Sequence, residues 1–408
     1  MTETTMTADT SLRGMRINFG QSLLSFSFGL GGLLTGGLLV LFFDTFSITN
    51  APWALILFPG VLSIRGAIGG LFSGHLATGL HLGTVRASYT KNTKDFYILL
   101  RAVVVLSLIS GISIGIGTSI FGVFLWNATL NDLIMLLAVV IATMALSILF
   151  ISPITIVFSI LSFRLGFDPD VIVYPIISTI ADIINVACYI FNLNVFFRLP
   201  QFGSYLIGII NFVFLSATIY ILIKGLKEEF FVRIIREFIL TLLLITFIVN
   251  ITGIFLGNIR THIHNGAELY LIYPALITTI GAVGSIIGST ATTKLALGFI
   301  KPSVSSIKQH TNEIVGSWIA SMVMFAIYSI ISSLMSTVIT LHTLMITLAQ
   351  LLATNIFAVS IMAIIAYMTA VFTYRQRLNP DNFVIPIESS LADGVTTISL
   401  LIALTLLI

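Results

Sequence analysis

Residues 203–223, GSYLIGIINFVFLSATIYILI, run from end to end without a charged side chain, and residues 133–163 do the same. At 1.5 Å of rise per residue, about 20 such positions in a helix cross a hydrocarbon layer about 30 Å thick. Runs of this kind fill most of the chain. Of its 408 residues 57% are hydrophobic and 9% charged, more apolar surface than a soluble fold can bury, so the class is an all-α, polytopic membrane protein. A net charge of +3, with no block of Lys or Arg, argues against nucleic acid as a partner. The single cysteine, Cys188, rules out an intrachain disulfide. Residues 1–18 are polar and carry Arg13 and Arg16, and the apolar run behind them is long enough to span, as a retained first helix rather than a cleaved signal.

Dividing the apolar runs at their polar breaks predicts helices near 19–43, 52–83, 97–126, 133–163, 171–197, 203–223, 238–257, 270–298, 314–337, 344–373 and 383–408, about eleven transmembrane crossings. Cytoplasmic loops are enriched in Lys and Arg. One set of alternate connections holds Arg13, Arg16, Arg86, Lys91, Lys94, Arg164, Lys224, Lys227, Arg233, Arg236, Lys301, Lys308, Arg375 and Arg377, whereas the other holds little beyond Arg198 and Arg260. The expectation is a multi-pass protein of the cell membrane, embedded in lipid, with its N-terminus in the cytoplasm and its C-terminus outside.

The two parts of the chain repeat each other. Pro59, Gly66, Gly69, Thr78 and Gly83 return as Pro274, Gly281, Gly284, Thr293 and Gly298, 215 positions on. Pro169, Asp170, Pro175, Ser178 and Asp182 return as Pro380, Asp381, Pro386, Ser389 and Asp393, 211 positions on. Two offsets so close indicate an internal duplication. Five helices cross an odd number of times, so a direct fusion would invert the second copy; the extra helix near 203–223 restores its direction. The expected organisation is a cytosolic tail over 1–18, a first five-helix repeat over 19–197, a linker with the connecting helix over 198–237 and a second repeat over 238–408. Such repeats run parallel, related by a pseudo-twofold axis along the membrane normal. The chain is a pseudo-dimer in one polypeptide, able to act as a monomer.

Each fifth helix begins at the basic side and carries an aspartate, Asp182 or Asp393, about 18 Å deeper, near the bilayer middle. A charge at that depth costs at least about 2.5–3.5 kcal/mol, so it faces protein, water or a cation. Ser178, Asp182 and Asn185 share one helical face, and Ser389, Asp393 and Thr396 repeat it. Oxygen ligands, two of them anionic, suit a hard divalent cation such as Mg2+, held largely hydrated because it loses water reluctantly. The competing reading is a structural polar cluster, or acids paired with Arg65. Glu388, matched by Ile177, is either a third charge in an asymmetric site or a polar residue in a cavity. Pro175 and Pro386 either expose backbone carbonyls to an ion or kink their helices. Glycines at 66, 70 and 74 suggest close helix packing. Lys294 is expected to reach toward the membrane surface, and His262 and His264 to be solvated. No Ser/His/Asp set, Cys/His metal spacing or HExxH motif is present, so nothing points to an enzyme.

The stretches LNPDNFVIPIESSLAD and GFDPDVIVYPIISTIAD resemble the fifth-helix motif of MgtE-type magnesium transporters and their duplicated relatives in solute carrier family 41. FPGVLSIRGAIGGLFSGHLATGLHLG resembles the family's second helix, and the segment from Pro274 to Gly298 its repeat. The resemblance implies a divalent cation pathway in which Asp182 and Asp393 bind Mg2+, as the ion transported. Two features depart from the family pattern: Ala67 and Ala282 stand where relatives have Asn, and Gly69 and Gly284 where they have an acid. Bacterial relatives carry a cytosolic sensor domain, against the short tail here. Metal, pathway-lining residues at Gly66, Gly281, Arg65, Pro175 and Pro386, and ion transport form one expectation; a carrier of a small organic or zwitterionic solute, bound by Arg65 and the aspartates, is the alternative.

Overall fold

A computed structural model describes residues 2–35, 52–126, 129–243, 245, 267–335 and 340–407. Among these the chain is helical throughout, with no strand. Eleven α-helices follow in order: α1 (Thr2–Ser27), α2 (Pro52–Leu82), α3 (Lys94–Trp126), α4 (Leu130–Arg164), α5 (Pro169–Arg198), α6 (Pro200–Gly225), α7 (residues 229–243), α8 (Ala267–Ala296), α9 (Thr311–Met335), α10 (Leu341–Arg375) and α11 (Val384–Leu406). Eight of them, α3 to α6 and α8 to α11, are long and apolar enough to cross a membrane. Of the other three predicted crossings, α1 and α7 lead toward residues 36–51 and 246–266, outside the described set, and α2 is long but carries Arg65, His75 and His81. The polar start is not an unstructured tail: α1 begins at Thr2, and its Asn18 donates to Glu313 at the start of α9.

Local punctuation explains where the helices begin and end, and it recurs at the sequence offsets. Thr129 and Thr340 cap α4 and α10 with reciprocal side-chain to backbone bonds. Gly83 and Gly298 take φ of +72° and +73° just past α2 and α8, a left-handed conformation that a Cβ disfavours. Asp168 and Asn379 each accept from the backbone N–H two residues on. The Arg164 guanidinium donates to the Ala87 carbonyl, and Arg375 does the same to Pro302. These bonds, with Lys94–Glu228 at 2.7 Å and Arg233 donating to the Arg377 carbonyl, gather the basic connections at one end of the bundle.

Packing interlocks the two parts. One core holds α2, α3, α4, the later part of α5 and α7; the other holds α8 to α11, the first turns of α5 and Phe26 of α1. The first helix of each repeat thus packs into the core of the opposite one. α5 likewise contacts α8, and α11 contacts α2. The glycine stripe of α2 makes the second contact possible: Gly66 lies against Ser389, Gly74 against Asp381, and a Cβ on Gly70 would overlap Ile385.

Candidate functional site

The two fifth-helix aspartates converge on one short piece of α2. Ser63 Oγ donates to Asp393 Oδ2 at 3.3 Å. Two residues on, Arg65 Nη1 lies 3.4 Å from Asp182 Oδ1 and donates to the Ser178 carbonyl at 3.0 Å. Asp182 and Asp393 are near enough to repel each other electrostatically. Gly66 follows directly; a Cβ there would touch Ser389 Oγ at 3.5 Å, so the missing side chain brings α11 close to the acids. The Tyr174 hydroxyl, on α5, lies beside the same glycine, 3.8 Å from where its Cβ would stand. The Asp182 side chain keeps 25% of its surface exposed against 5% for Arg65, so the acid retains an open side.

Other expected residues fall around this point rather than in it. Asn185 shares the helical face of Asp182, yet its amide is taken up: Oδ1 accepts from Ser147 at 2.7 Å and Nδ2 donates to the Val61 carbonyl. Thr396, its counterpart, is buried with a hydroxyl that has no partner. Glu388 is fully buried, and neither carboxylate oxygen has a partner. It turns toward α8, where it lies over Gly284 and Gly288 and where a Cβ on Gly288 would overlap it. Gly281 meets Ala392 rather than a serine. The helix α5 continues through Pro175, and Pro386 stands in the first turn of α11, where a missing N–H breaks no bond; its carbonyl accepts from Ser389 and Ser390. Lys294 pairs with Glu313 at the start of α9, at 2.8 Å. His262 and His264 lie outside the described residues.

Nearer the basic end, a second pair of acids joins the repeats. Asp381 accepts from Thr78 of α2 at 3.1 Å, and Asp170 accepts from Ser289 of α8. Thr78 and Thr293, equivalent positions, meet at 3.3 Å; because Thr78 gives its one proton to Asp381, Thr293 is the donor of that bond, which ties α8 to the Asp381 cluster. His81 Nε2 lies 3.4 Å from Asp168 and 3.9 Å from Asp170, a group with metal-ligand chemistry that the sequence reading passed over. The only signal for it is the D-P-D triplet itself, since Ala296 and Asn379 replace His81 and Asp168 in the second repeat.

No curated protein and no solved structure matches the chain significantly. The profile of a divalent cation transporter family, MgtE, matches it twice, over residues 58–191 and 273–403. Those two stretches contain both pairs of aspartates and nearly all of the helices that position them, and on that double match the chain belongs to the MgtE family of divalent cation transporters.

Proposed function

We propose that the protein carries a divalent cation, with Mg2+ preferred, along the interface of two parallel repeats related by a pseudo-twofold axis, and that Asp182 and Asp393 hold the ion. The observation that carries this reading is their convergence: acids from equivalent positions of α5 and α11 meet at residues 63–66 of α2. Two carboxylates within electrostatic reach in a low-dielectric interior favour a doubly charged partner. The hydroxyls of Ser178, Ser389 and Thr396 position its water shell, and Asn185, bonded to Ser147 and Val61, fixes α5 against its neighbours; Gly66 and Gly281 let the fifth helices approach the second ones, and Pro175 and Pro386 shape the approach. Glu388 adds negative charge from the second repeat.

The basic end of the bundle faces the cytoplasm in this reading, so the N-terminus is inside and the C-terminus outside. A negative interior then favours uptake by about 4.6 kcal/mol for two charges per 100 mV. Transport, not catalysis, is the activity, and the single chain supplies both halves of the site. The test is Mg2+ flux into liposomes for the wild type and for Asp182→Asn combined with Asp393→Asn. Flux is expected to vanish in the double variant; unchanged flux refutes the site.

A second reading draws on the Arg65–Asp182 pair, which offers both charges a zwitterionic solute needs. Stabilisation by Mg2+ against heat, at fixed ionic strength, separates the two, because a carrier of organic solutes has no reason to respond.

A further inference from the structure

Arg65 breaks the repeat, since Ile280 stands in its place 215 positions later. Its guanidinium is 5% exposed, and only Nη1 is engaged, with Asp182 and the Ser178 carbonyl. Nε and Nη2 are buried without a partner. A guanidinium has five N–H donors, and leaving buried ones idle is costly, so the arrangement is incomplete. The same side chain borders a cavity of about 20 Å³ with a nearly all apolar wall, formed by Ile68, Phe72, Val103, Met144 and Ile148, with Ser152 also on it. Ser152 Oγ, on that cavity, is also buried without a partner. Gly69 leaves the path open, because even a Cβ there would stop 3.5 Å from Nη2. Arg65 therefore holds Asp182 through one nitrogen while its other two stay unused beside the cavity.

We propose that Arg65 is a tethered counter-cation that guards the site against monovalent ions: a divalent cation displaces it from Asp182, whereas Na+ and K+ do not. This rests on the reading that Asp182 and Asp393 hold the transported ion. A tethered charge competes at the high effective concentration of an intramolecular group. Na+ or K+ brings the same single charge as the guanidinium and gains nothing by replacing it. A divalent ion doubles the Coulomb attraction to both carboxylates at once. The displaced guanidinium keeps the Ser178 carbonyl and offers an idle donor to the unpartnered Ser152 hydroxyl, giving the two discrete arrangements a switch requires.

Thermal stabilisation by MgCl2 and by KCl at constant ionic strength, with Mg2+ and K+ flux in liposomes, tests this in the wild type, Arg65→Lys and Arg65→Gln. The Mg2+ midpoint of Arg65→Gln is expected to fall by about tenfold or more, because the fraction of sites free of the guanidinium rises, and K+ should now stabilise and permeate. Arg65→Lys, which keeps the charge, should still exclude K+. If Arg65→Gln proves unstable without ions, Mg2+ should restore it to wild-type stability by taking the guanidinium's place. A raised or unchanged Mg2+ midpoint in Arg65→Gln, continued exclusion of K+ by it, instability that Mg2+ does not correct, or loss of K+ exclusion in Arg65→Lys overturns the proposal. Should these fail while the doubled Asp→Asn variant still loses Mg2+ flux, the ion site stands and only the guarding role falls.

Discussion

The two repeats keep a common frame and differ in charge. Both retain the capping residues, the glycine-rich second helix, the inner aspartates Asp170 and Asp381 and the deeper aspartates Asp182 and Asp393. At the depth of the deeper pair, the first repeat adds a cation, Arg65, where the second has Ile280, and the second adds an acid, Glu388, where the first has Ile177. The first repeat thus compensates its aspartate internally; the second leaves two carboxylates without a basic partner among the described residues. Divergence thus gave one aspartate a basic partner and placed a second acid in the other repeat.

This difference predicts unequal costs for equivalent substitutions, measured as thermal or denaturant stability without divalent ions. Asp182→Asn strands the buried Arg65 charge and should cost about 3–5 kcal/mol, the price of breaking a buried ion pair from one side. Asp393→Asn keeps an acceptor for Ser63 and leaves no charge stranded, so its cost should stay within about 1 kcal/mol. Equal losses at the two positions would show that the first repeat is not compensated as described.

A second contrast concerns how the unpaired acid is housed. Ser73 and Ile177 in the first repeat correspond to Gly288 and Glu388 in the second, and a Cβ on Gly288 would overlap the Glu388 carboxylate. The pair has therefore exchanged volume: the acid fits because the serine became glycine. Gly288→Ser should cost about 1–3 kcal/mol by overpacking. Combining it with Glu388→Ile, which rebuilds the first-repeat pair, should recover most of that loss, a strong non-additivity between touching residues. If the double variant is no better than Gly288→Ser alone, the volumes are not matched.

How much of this the sequence displayed depended on whether the signal was local or relational. Most of the helices and the repeat offsets were legible because apolar length, Pro, Gly and Asp act within a few residues of themselves. Which neighbour each side chain meets was not. Arg65 could have served either acid or neither, and Asn185 shares a face with Asp182 yet bonds α4 and α2. Helical spacing gives a direction from the axis, not the partner waiting there. The polar start of α1 has no apolar period to betray a helix; contacts such as Asn18 with Glu313 on α9, distant in sequence, accompany it. The packing of α1 and α7 into opposite cores leaves no local trace at all. His81 escaped because its partners Asp168 and Asp170 lie far away in sequence, on the start of another helix.

The smallest expected difference lies at the inner pair of acids. Thr78 donates to Asp381 and accepts from Thr293, while Asp170 accepts from Ser289 of α8. Thr78→Val removes the hydroxyl bonded to Asp381, whereas Thr293→Val leaves Ser289 on Asp170. Losing a hydrogen bond that leaves a buried carboxylate underserved costs about 1–2 kcal/mol, and losing a redundant one about 0.5 kcal/mol. Thr78→Val should accordingly destabilise more than Thr293→Val. Because the two hydroxyls touch, the double variant should cost less or more than the sum by at least about 0.5 kcal/mol, which a double-mutant cycle on thermal stability resolves. Strict additivity would mean that the repeats do not communicate through these threonines.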